Sequence, residues 1–229
     1  MRLDRFIARH TRQSQQTARL LITAGRVQVE GQVIRDAQRA VDRFVTVQLD
    51  DRFLQQHTPL HFMLHKPSGY LSATCDPLHP TVLELFAESL RPQLHIGGRL
   101  DRSTSGLLIL TNDGLWSRRL TEPGQRIPKM YLVGTAEPIA ACAAERFEQG
   151  IHLGREDIVT SPAQLQLLAP DLARLTIYEG RHHQVKRMFH AVGNRVISLH
   201  RERMGEIELD SALSPGQYRA LTTEEIAGI

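Results

Sequence analysis

The stretch from Gly97 to Gly114, GGRLDRSTSGLLILTNDG, constrains the fold of this chain more than any other. Its second half, Leu107 to Thr111, is an apolar run bounded by turn residues, which predicts a buried strand. The strand ends at Asn112-Asp113-Gly114, a turn signal because Asn and Asp tolerate left-handed backbone angles and Gly prefers them. A buried strand of this kind needs a sheet around it and a core against it.

The turn before this strand carries a single acidic residue. Asp101 stands between Arg99 and Arg102, with glycines on either side of the segment. A carboxylate held by a short loop and braced by arginines is a candidate nucleophile or base. It is equally typical of a surface turn whose acid is only ion-paired, because structural ion-pair networks also perturb acids. The local sequence leaves both interpretations open.

Composition limits the classes of protein that this chain can belong to. With 229 residues, 41% of them hydrophobic, it can form one large domain or a small domain followed by a medium one. No run approaches the roughly 18 apolar residues that span a bilayer, and no signal peptide is evident. Cys75 and Cys142 are the only cysteines, which argues against a disulfide framework and favours the cytoplasm.

The positive charge is concentrated at the start of the chain. Residues 1–49 hold nine arginines and four acidic residues, a balance of +5, so the net charge of +3 leaves −2 for the remainder. An arginine-rich segment on a near-neutral body suggests an appendage that binds a polyanion, since Arg forks onto phosphates and stacks on bases. A solvated basic face is the alternative that the charges alone leave open.

The same segment has a regular internal pattern. Ser14 is a candidate N-cap, and Glu30-Gly31 a turn between two strands. Apolar residues recur at helical spacing in two short segments and then alternate as in a strand: Leu3, Phe6 and Ile7; Ala18, Leu21 and Ile22; Val27 and Val29.

This order of two helices and a hairpin, in RLDRFIA (2–8) and SQQTARLLITAGRVQVEGQVI (14–34), resembles the S4 RNA-binding domain. The resemblance implies docking on structured RNA, mainly through phosphates, by a basic surface. The residues expected to form it are Arg2, Arg5, Arg9, Arg12, Arg19 and Arg26.

The rest of the chain has a different pattern. Residues 50–60 lose periodicity and are expected to be a linker, so we predict domains over 1–58 and 59–229. Beyond the linker, short strands mix with helices without regular alternation, which favours an α+β fold with a mixed, largely antiparallel sheet and flanking helices. The predicted strands include 130–135, 163–168 and 173–178, and the predicted helices 81–90, 138–150 and 184–192.

A basic motif follows one of these strands. In Glu179–Met188, EGRHHQVKRM, a helix begins with Arg181, Lys186 and Arg187 near its positive end. Placed beside Asp101, this helix end would stabilise the negative charge of the carboxylate. A helix cap that binds phosphate explains the same arginines without a role for the acid.

A third motif is Lys129-Met130-Tyr131 at a predicted strand start. Side chains two apart share one face of a strand, so Lys129 and Tyr131 can line one pocket. A tyrosine offers a flat surface to a base, although aromatic residues more often supply core. Dinucleotide and P-loop motifs are missing, and neither HExxH nor CxxC occurs.

Together these motifs resemble the pseudouridine synthases, in particular the branch that modifies small-subunit rRNA (RsuA-type). The matching segments, in the expected order, are HKPSGY (65–70), GRLDRSTSGLLILTNDG (98–114), KMY (129–131), LTIYEGRHHQVKRMFHAVGNRVISLHRERMG (175–205) and LSPGQYRALTTEEI (213–226).

The resemblance implies a catalytic domain of that fold and a reaction that needs no metal and no cofactor. It assigns Asp101 as nucleophile or base, Tyr131 as the ring that stacks on a flipped uracil, and Lys186 as the basic partner of the acid. The other residues that it implies at the substrate pocket are Arg99, Ile177, Lys66, Pro67 and Lys129; those that it implies at the RNA are Arg181, His183 and Arg187.

The expected function is conversion of one uridine of bacterial 16S rRNA to pseudouridine by a cytoplasmic monomer without membrane association. The rRNA is either free or part of a small-subunit assembly intermediate. The alternatives are a synthase for 23S rRNA or tRNA, and a non-catalytic RNA-binding or ribosome assembly factor. A hydrolytic glycosylase would normally require a second carboxylate, and none is evident beside Asp101.

Overall fold

The computed structural model describes residues 1–42, 45–56, 58–154 and 156–229. Its contacts divide the chain into two compact units, Met1–Pro59 and Leu60–Ile229. Each unit buries its own hydrophobic residues, so each has a core of its own.

The first unit consists of two helices and a small sheet. Ser14 caps the second helix, as predicted, because its hydroxyl accepts a hydrogen bond from the Thr17 amide (3.1 Å). The sheet order is β2-β1-β3-β4, with all pairs antiparallel. The elements are α1 (Leu3–Thr11), α2 (Gln15–Thr23), β1 (Val27–Val29), β2 (Gln32–Val33), β3 (Val47–Leu49) and β4 (Arg52–Gln55).

The prediction of a linker over residues 50–60 was wrong for its first half. Residues 52–55 form β4, which pairs with β3. Arg52 and Phe53 are both exposed, so this edge strand lacks the alternation that identifies a half-buried strand. His57, also in the predicted linker, lies outside the described residues.

The second unit contains one large sheet with helices packed against it. Its helices are α3 (Gly114–Thr121), α4 (Ala143–Gln149), α5 (Gln184–Ala191) and α6 (Thr223–Ala227). Its strands are β5 (His61–Lys66), β6 (His95–Gly97), β7 (Ser105–Thr111), β8 (Lys129–Thr135), β9 (His152–Leu153), β10 (Ile158–Val159), β11 (Gln164–Ala169), β12 (Leu172–Ile177), β13 (Val196–Met204), β14 (Ile207–Glu208) and β15 (Tyr218–Ala220).

The large sheet confirms the α+β prediction. Its main order is β11-β12-β8-β13-β7-β5-β15, with β14 on β13 and β6 on β7. Only the contact between β7 and β13 is parallel within the described part of this sheet, so the sheet is mixed and largely antiparallel. The predicted buried strand is β7, whose residues Leu107–Leu110 are fully buried.

Two predicted helices were too long. Residues 81–90 form only one 3-10 turn, Val82–Leu85, after which the backbone at Phe86 is extended. The burial of Val82, Leu83 and Phe86 suits a turn as well as a helix, so the apolar spacing could not distinguish them. Within 138–150, only Ala143–Gln149 is an α-helix.

Candidate active site

A cavity of about 610 Å³ in the second unit brings together residues that are far apart in the sequence. The loop before β7, the first residues of β8 and the segment from the end of β12 to the start of α5 line it, together with residues of β13. Of the residues predicted from sequence, the lining contains Arg99, Asp101, Lys129, Tyr131, Ile177, Arg181 and His183.

Asp101 lies beside two basic side chains at the start of α5, those of His183 and Lys186. Its Oδ2 is 3.1 Å from Nζ of Lys186, and its Oδ1 is 3.6 Å from Nε2 of His183. Lys186 also donates a hydrogen bond to the hydroxyl of Ser103 (2.8 Å), two residues after the acid. The side chain of Asp101 is 24% exposed, so the carboxylate is accessible while its position is fixed from α5.

A polar network determines where α5 begins. Gln184, buried at the first position of the helix, accepts a hydrogen bond from the Arg181 amide (2.9 Å) and donates one to Glu179 (2.8 Å). Glu179 also binds the guanidinium of Arg181 (3.2 Å). The residue before the helix, His183, has left-handed backbone angles. The network therefore places Lys186 within the first turn, facing Asp101.

A buried lysine holds the Asp101 loop from behind. Nζ of Lys66 donates hydrogen bonds to the carbonyl oxygens of Thr104 (2.7 Å), Pro67 (3.1 Å) and Arg102 (3.3 Å). Lys66 is fully buried, and this burial lowers its pKa from 10.5 to about 8, although the charge of Asp101 opposes the shift. The ammonium therefore orders the loop at an electrostatic cost.

Two further residues fix the loop on the other side of the acid. The hydroxyl of Ser72 accepts a hydrogen bond from the Leu100 amide (3.0 Å) and donates one to the Leu100 carbonyl (2.8 Å). The buried guanidinium of Arg201 donates to the carbonyls of Leu107 (2.8 Å) and Gly98 (3.3 Å). The backbone on both sides of Asp101 is thus bound to groups that cannot move freely.

Gly106 lets the start of β7 pass close to β13. It has a positive φ of 106°, and a β-carbon there would collide with the backbone of Arg201. Only glycine combines this conformation with such a close approach. The last glycine of the GRLDRSTSG segment is therefore required by the parallel contact between β7 and β13.

The first residues of β8 form an adjacent wall of the cavity. Lys129 pairs with Ile177 of β12, and Tyr131 pairs with Leu175 of β12 and with Arg201 of β13. Both Lys129 and Tyr131 line the cavity, in keeping with their spacing of two on a strand. Tyr131 is 7% exposed, so its ring is available at the cavity surface but supported by the core.

Two residues expected in the pocket wall lie elsewhere. Lys66 lies behind the loop that carries Asp101, and neither Lys66 nor Pro67 lines the cavity. The strand β5 ends at Lys66 with this side chain turned into the core, which its hydrogen bonds to carbonyls require. Lys66 is therefore a candidate for positioning Asp101 rather than for contact with substrate.

Several of the arginines expected at the RNA are engaged by carboxylates. Asp4 is fully buried in the first unit and binds Arg2 (2.8 Å) and Arg19 (3.0 Å). Burial alone would raise the pKa of Asp4, but hydrogen bonds from Gln15 and both arginines lower it. Likewise Arg26 pairs with Asp50 and Arg187 with Glu156. Arg5, Arg9 and Arg12 are exposed, with no ion pair to any described residue.

Sequence reasoning missed Ser72 and Arg201, which bind the backbone on either side of Asp101, and Tyr178. All three residues line the cavity. One signal was nevertheless present. The chain has 28 basic residues other than histidine, of which only Lys66, Lys129 and Lys186 are lysines. The structure places one behind the Asp101 loop, one in the cavity lining and one on the carboxylate.

Comparison with known proteins shows the family of the chain. The family model described as RNA pseudouridylate synthase matches residues 61–191, which include all the lining residues from Leu71 to Val185. The chain belongs to this family. The S4 domain model matches residues 1–47, in the first unit. The chain is accordingly an RNA pseudouridine synthase, an isomerase, with an S4 domain at its start.

Similar proteins extend over the whole chain. The ribosomal small subunit pseudouridine synthase A of Pseudomonas aeruginosa is 54% identical, and that of Escherichia coli K12 is 49% identical; in both pairs the alignment covers 100% of each chain. A crystal structure of a pseudouridylate synthase, 38% identical, superimposes with a TM-score of 0.76 and covers 100% of this chain and 99% of that one. Among the described residues, no helix is long and apolar enough to cross a membrane.

Proposed function

We propose that this protein converts one specific uridine of bacterial 16S rRNA to pseudouridine, with Asp101 as the nucleophile or base. The observation that carries the proposal is the position of the carboxylate, in a cavity and 3.1 Å from Nζ of Lys186. Full-length similarity to proteins named for the ribosomal small subunit supports 16S rRNA over other RNAs.

The cavity walls suit a single extruded base. A uridine within a helix or stacked loop must leave its stack to be reached, at a cost of a few kcal/mol. Tyr131 offers a ring on which the uracil can stack, and Ile177, 3% exposed, offers an apolar floor. Arg99 is exposed at the lining and can probe the RNA, including the space that the base vacates. Lys186 stabilises the charge of Asp101 as the glycosidic bond breaks.

The first unit, here proposed as an RNA-binding domain over residues 1–58, adds affinity for rRNA. Arg5, Arg9 and Arg12 are exposed and free to meet phosphates, whereas Arg2 and Arg19 are organised by Asp4. Phosphate contacts position an RNA without reading its sequence. The catalytic domain, proposed over 59–229, then selects the uridine. We expect the protein to act as a monomer on cytoplasmic rRNA, free or in an assembling subunit.

The test is chemical mapping of pseudouridine in 16S rRNA, 23S rRNA and tRNA from a strain that lacks the protein. We expect one 16S site to be lost and to return when the wild-type chain is supplied. The Asp101→Asn variant should fail to restore the site while binding 16S rRNA with nearly unchanged affinity, because the amide keeps the shape but not the charge.

Asp171→Asn is the matched control, since Asp171 is exposed and does not line the cavity; it should restore the site. Loss of a pseudouridine in 23S rRNA or tRNA instead would show that this RNA is the substrate. Restoration by Asp101→Asn would show that the acid is not the reacting group, and loss of no site would favour a binding or assembly role.

A further inference from the structure

Pseudouridine formation requires a proton to move within the uracil, which raises the question of what carries it. This inference rests on the proposed function. The N1–C1′ bond breaks and its electron pair stays on the uracil; C5 then forms the new bond to C1′. The C5 proton must leave, and N1 must gain one, so atoms and charge balance without any co-reactant. However the first bond is broken, some group at the cavity has to take up one proton and release one.

The two carboxylates that line the cavity within the described residues are already committed to other partners. Asp101 is ion-paired with Lys186. Glu179 binds the guanidinium of Arg181, the side-chain amide of Gln184 and the amide of Ser161. Asp101 is assigned to cleavage of the glycosidic bond, and both oxygens of Glu179 are in use, so another group is the better carrier for the proton on the ring.

Lys129 differs from these groups in its surroundings. It lines the cavity, and its Nζ donates one hydrogen bond, to the carbonyl of Ile127 (3.0 Å). Within the described residues, no carboxylate lies close enough to pair with its charge. The strand partners of Lys129 are Ile177 and Met204, both apolar and both in the lining. An amine in this setting has hydrogen-bonding capacity left for a substrate.

The electrostatics favour the neutral amine relative to a lysine in water. Burial lowers the pKa of Lys129, and the positive charge of Arg201 lowers it further. Arg201 cannot relax away, because it is buried and bound to the carbonyls of Leu107 and Gly98. By contrast, Asp101 raises the pKa of Lys66 in part.

The choice of residue type points in the same direction. Histidine apart, this chain uses arginine at every basic position except Lys66, Lys129 and Lys186. A guanidinium supplies a fixed charge but does not lose its proton in proteins, whereas a partly buried lysine can. A lysine at the cavity surface of such a chain is suited to proton transfer more than to phosphate binding.

We propose that Lys129 is a catalytic residue whose amine accepts the proton from C5 of the uracil and delivers a proton to N1. In this scheme Asp101 acts when the glycosidic bond breaks, and Lys129 acts after the carbon–carbon bond has formed. Tyr131, two residues along β8 from Lys129 and in the same lining, offers the ring on which the uracil stacks.

The experiment compares two substrates of the full-length Lys129→Arg variant. One is transcribed 16S rRNA carrying [5-³H]uridine, from which tritium release reports loss of the C5 proton. The other carries 5-fluorouridine, which has no proton at C5, so its conversion to a carbon-linked nucleoside, followed by mass spectrometry, does not depend on this step. General base catalysis by one residue typically contributes at least about 100-fold. We expect tritium release to fall by about that factor while fluorouridine is consumed at the wild-type rate.

Two results would overturn the proposal. Tritium release at the wild-type rate would show that no base is needed at position 129, and an equal loss with both substrates would place Lys129 in binding or bond cleavage. If Lys129→Arg does not fold, Lys129→Ala with added ethylamine decides: restored tritium release supports the role, and none refutes it. A wild-type protein inactive on both RNAs would instead refute the proposed function.

Discussion

Replacing Lys66 with Met tests whether the buried ammonium serves to position Asp101. The change removes three hydrogen bonds to carbonyls of Pro67, Arg102 and Thr104. At a net value of about 1 kcal/mol each, their loss costs about 3 kcal/mol. The change also removes a buried charge, and burial of this charge destabilises the wild-type protein. The fall of the Lys66 pKa from 10.5 to about 8 corresponds to about 3 kcal/mol at 1.36 kcal/mol per pKa unit, which the variant regains. The two nearly cancel, so stability at neutral pH should change by less than about 2 kcal/mol.

Activity should respond much more strongly than stability. Without the ammonium, the loop between β6 and β7 loses its buried clamp on one side of Asp101. It keeps the bonds from Ser72 and Arg201, and at the surface those that Gly69, Ser68 and Lys186 donate to Arg102 and Ser103. A displacement of about 1 Å in a reacting group can cost on the order of 100-fold in rate. We expect kcat for pseudouridine formation to fall by about that factor, with little change in KM for RNA.

The stability difference between wild type and Lys66→Met should depend on pH with a definite sign. Between about pH 8 and 10.5, the unfolded chain holds a proton on Lys66 that the native chain has lost. The free energy of unfolding of the wild-type protein therefore rises with pH in this window. Below about pH 8, the destabilisation by the buried charge of Lys66 does not change with pH. From about pH 7 to 9.5, wild type should gain about 2 kcal/mol on the variant.

The assay is urea unfolding of both proteins at the two pH values, combined with single-turnover pseudouridine formation. Lys66→Arg is a useful comparison because it keeps the charge but is larger and cannot fit the three carbonyls in the same way. The reasoning fails if Lys66→Met keeps wild-type kcat, or if the stability difference does not change between the two pH values.

Three other perturbations follow from the site. Lys186→Met should lower kcat by about 10–100-fold, because it loses a charge-assisted hydrogen bond of about 1.5–3 kcal/mol. Lys186→Arg should recover part of the lost activity. Equal activity of the two variants would show that the ion pair with Asp101 has no role in the reaction. Tyr131→Phe should reduce the rate less than Tyr131→Ala if stacking dominates, measured in single turnovers; the reverse order would assign the work to the hydroxyl. Replacing Arg5 and Arg9 with Gln should flatten the slope of log affinity against log salt by about 0.7–0.9 for each phosphate that is no longer neutralised, and an unchanged slope would remove these arginines from the RNA interface.

The local patterns of the sequence predicted much of the framework. The apolar spacing of Leu3, Phe6 and Ile7 predicted α1, and Ser14 predicted the start of α2 through its cap. Both depend on contacts within a few residues, which is why sequence alone could place them. β4 was missed because its exposed edge position removes the alternation, and the helix over residues 81–90 was wrong because its apolar spacing also suits a 3-10 turn.

For the site, the sequence singled out Asp101, Lys129 and Tyr131 from turn chemistry, strand spacing and resemblance to a family. It could not show that Lys66 lies behind the loop instead of lining the cavity, because that depends on how β5 pairs with β7. Nor could it show that Arg187 is engaged by Glu156, a residue 31 positions away.

By itself, the amino-acid sequence determined the two helices and the hairpin of the first unit, the turn that carries the acid and the concentration of arginine at the start of the chain. These follow from backbone preferences and from charges that are near one another along the chain. The tertiary structure alone decided which cations meet Asp101 and which meet other carboxylates. It also decided that a lysine and an arginine are buried to hold the loop of the acid. Such choices depend on distances between residues remote in sequence, and only the paired strands and the packed start of α5 fix them.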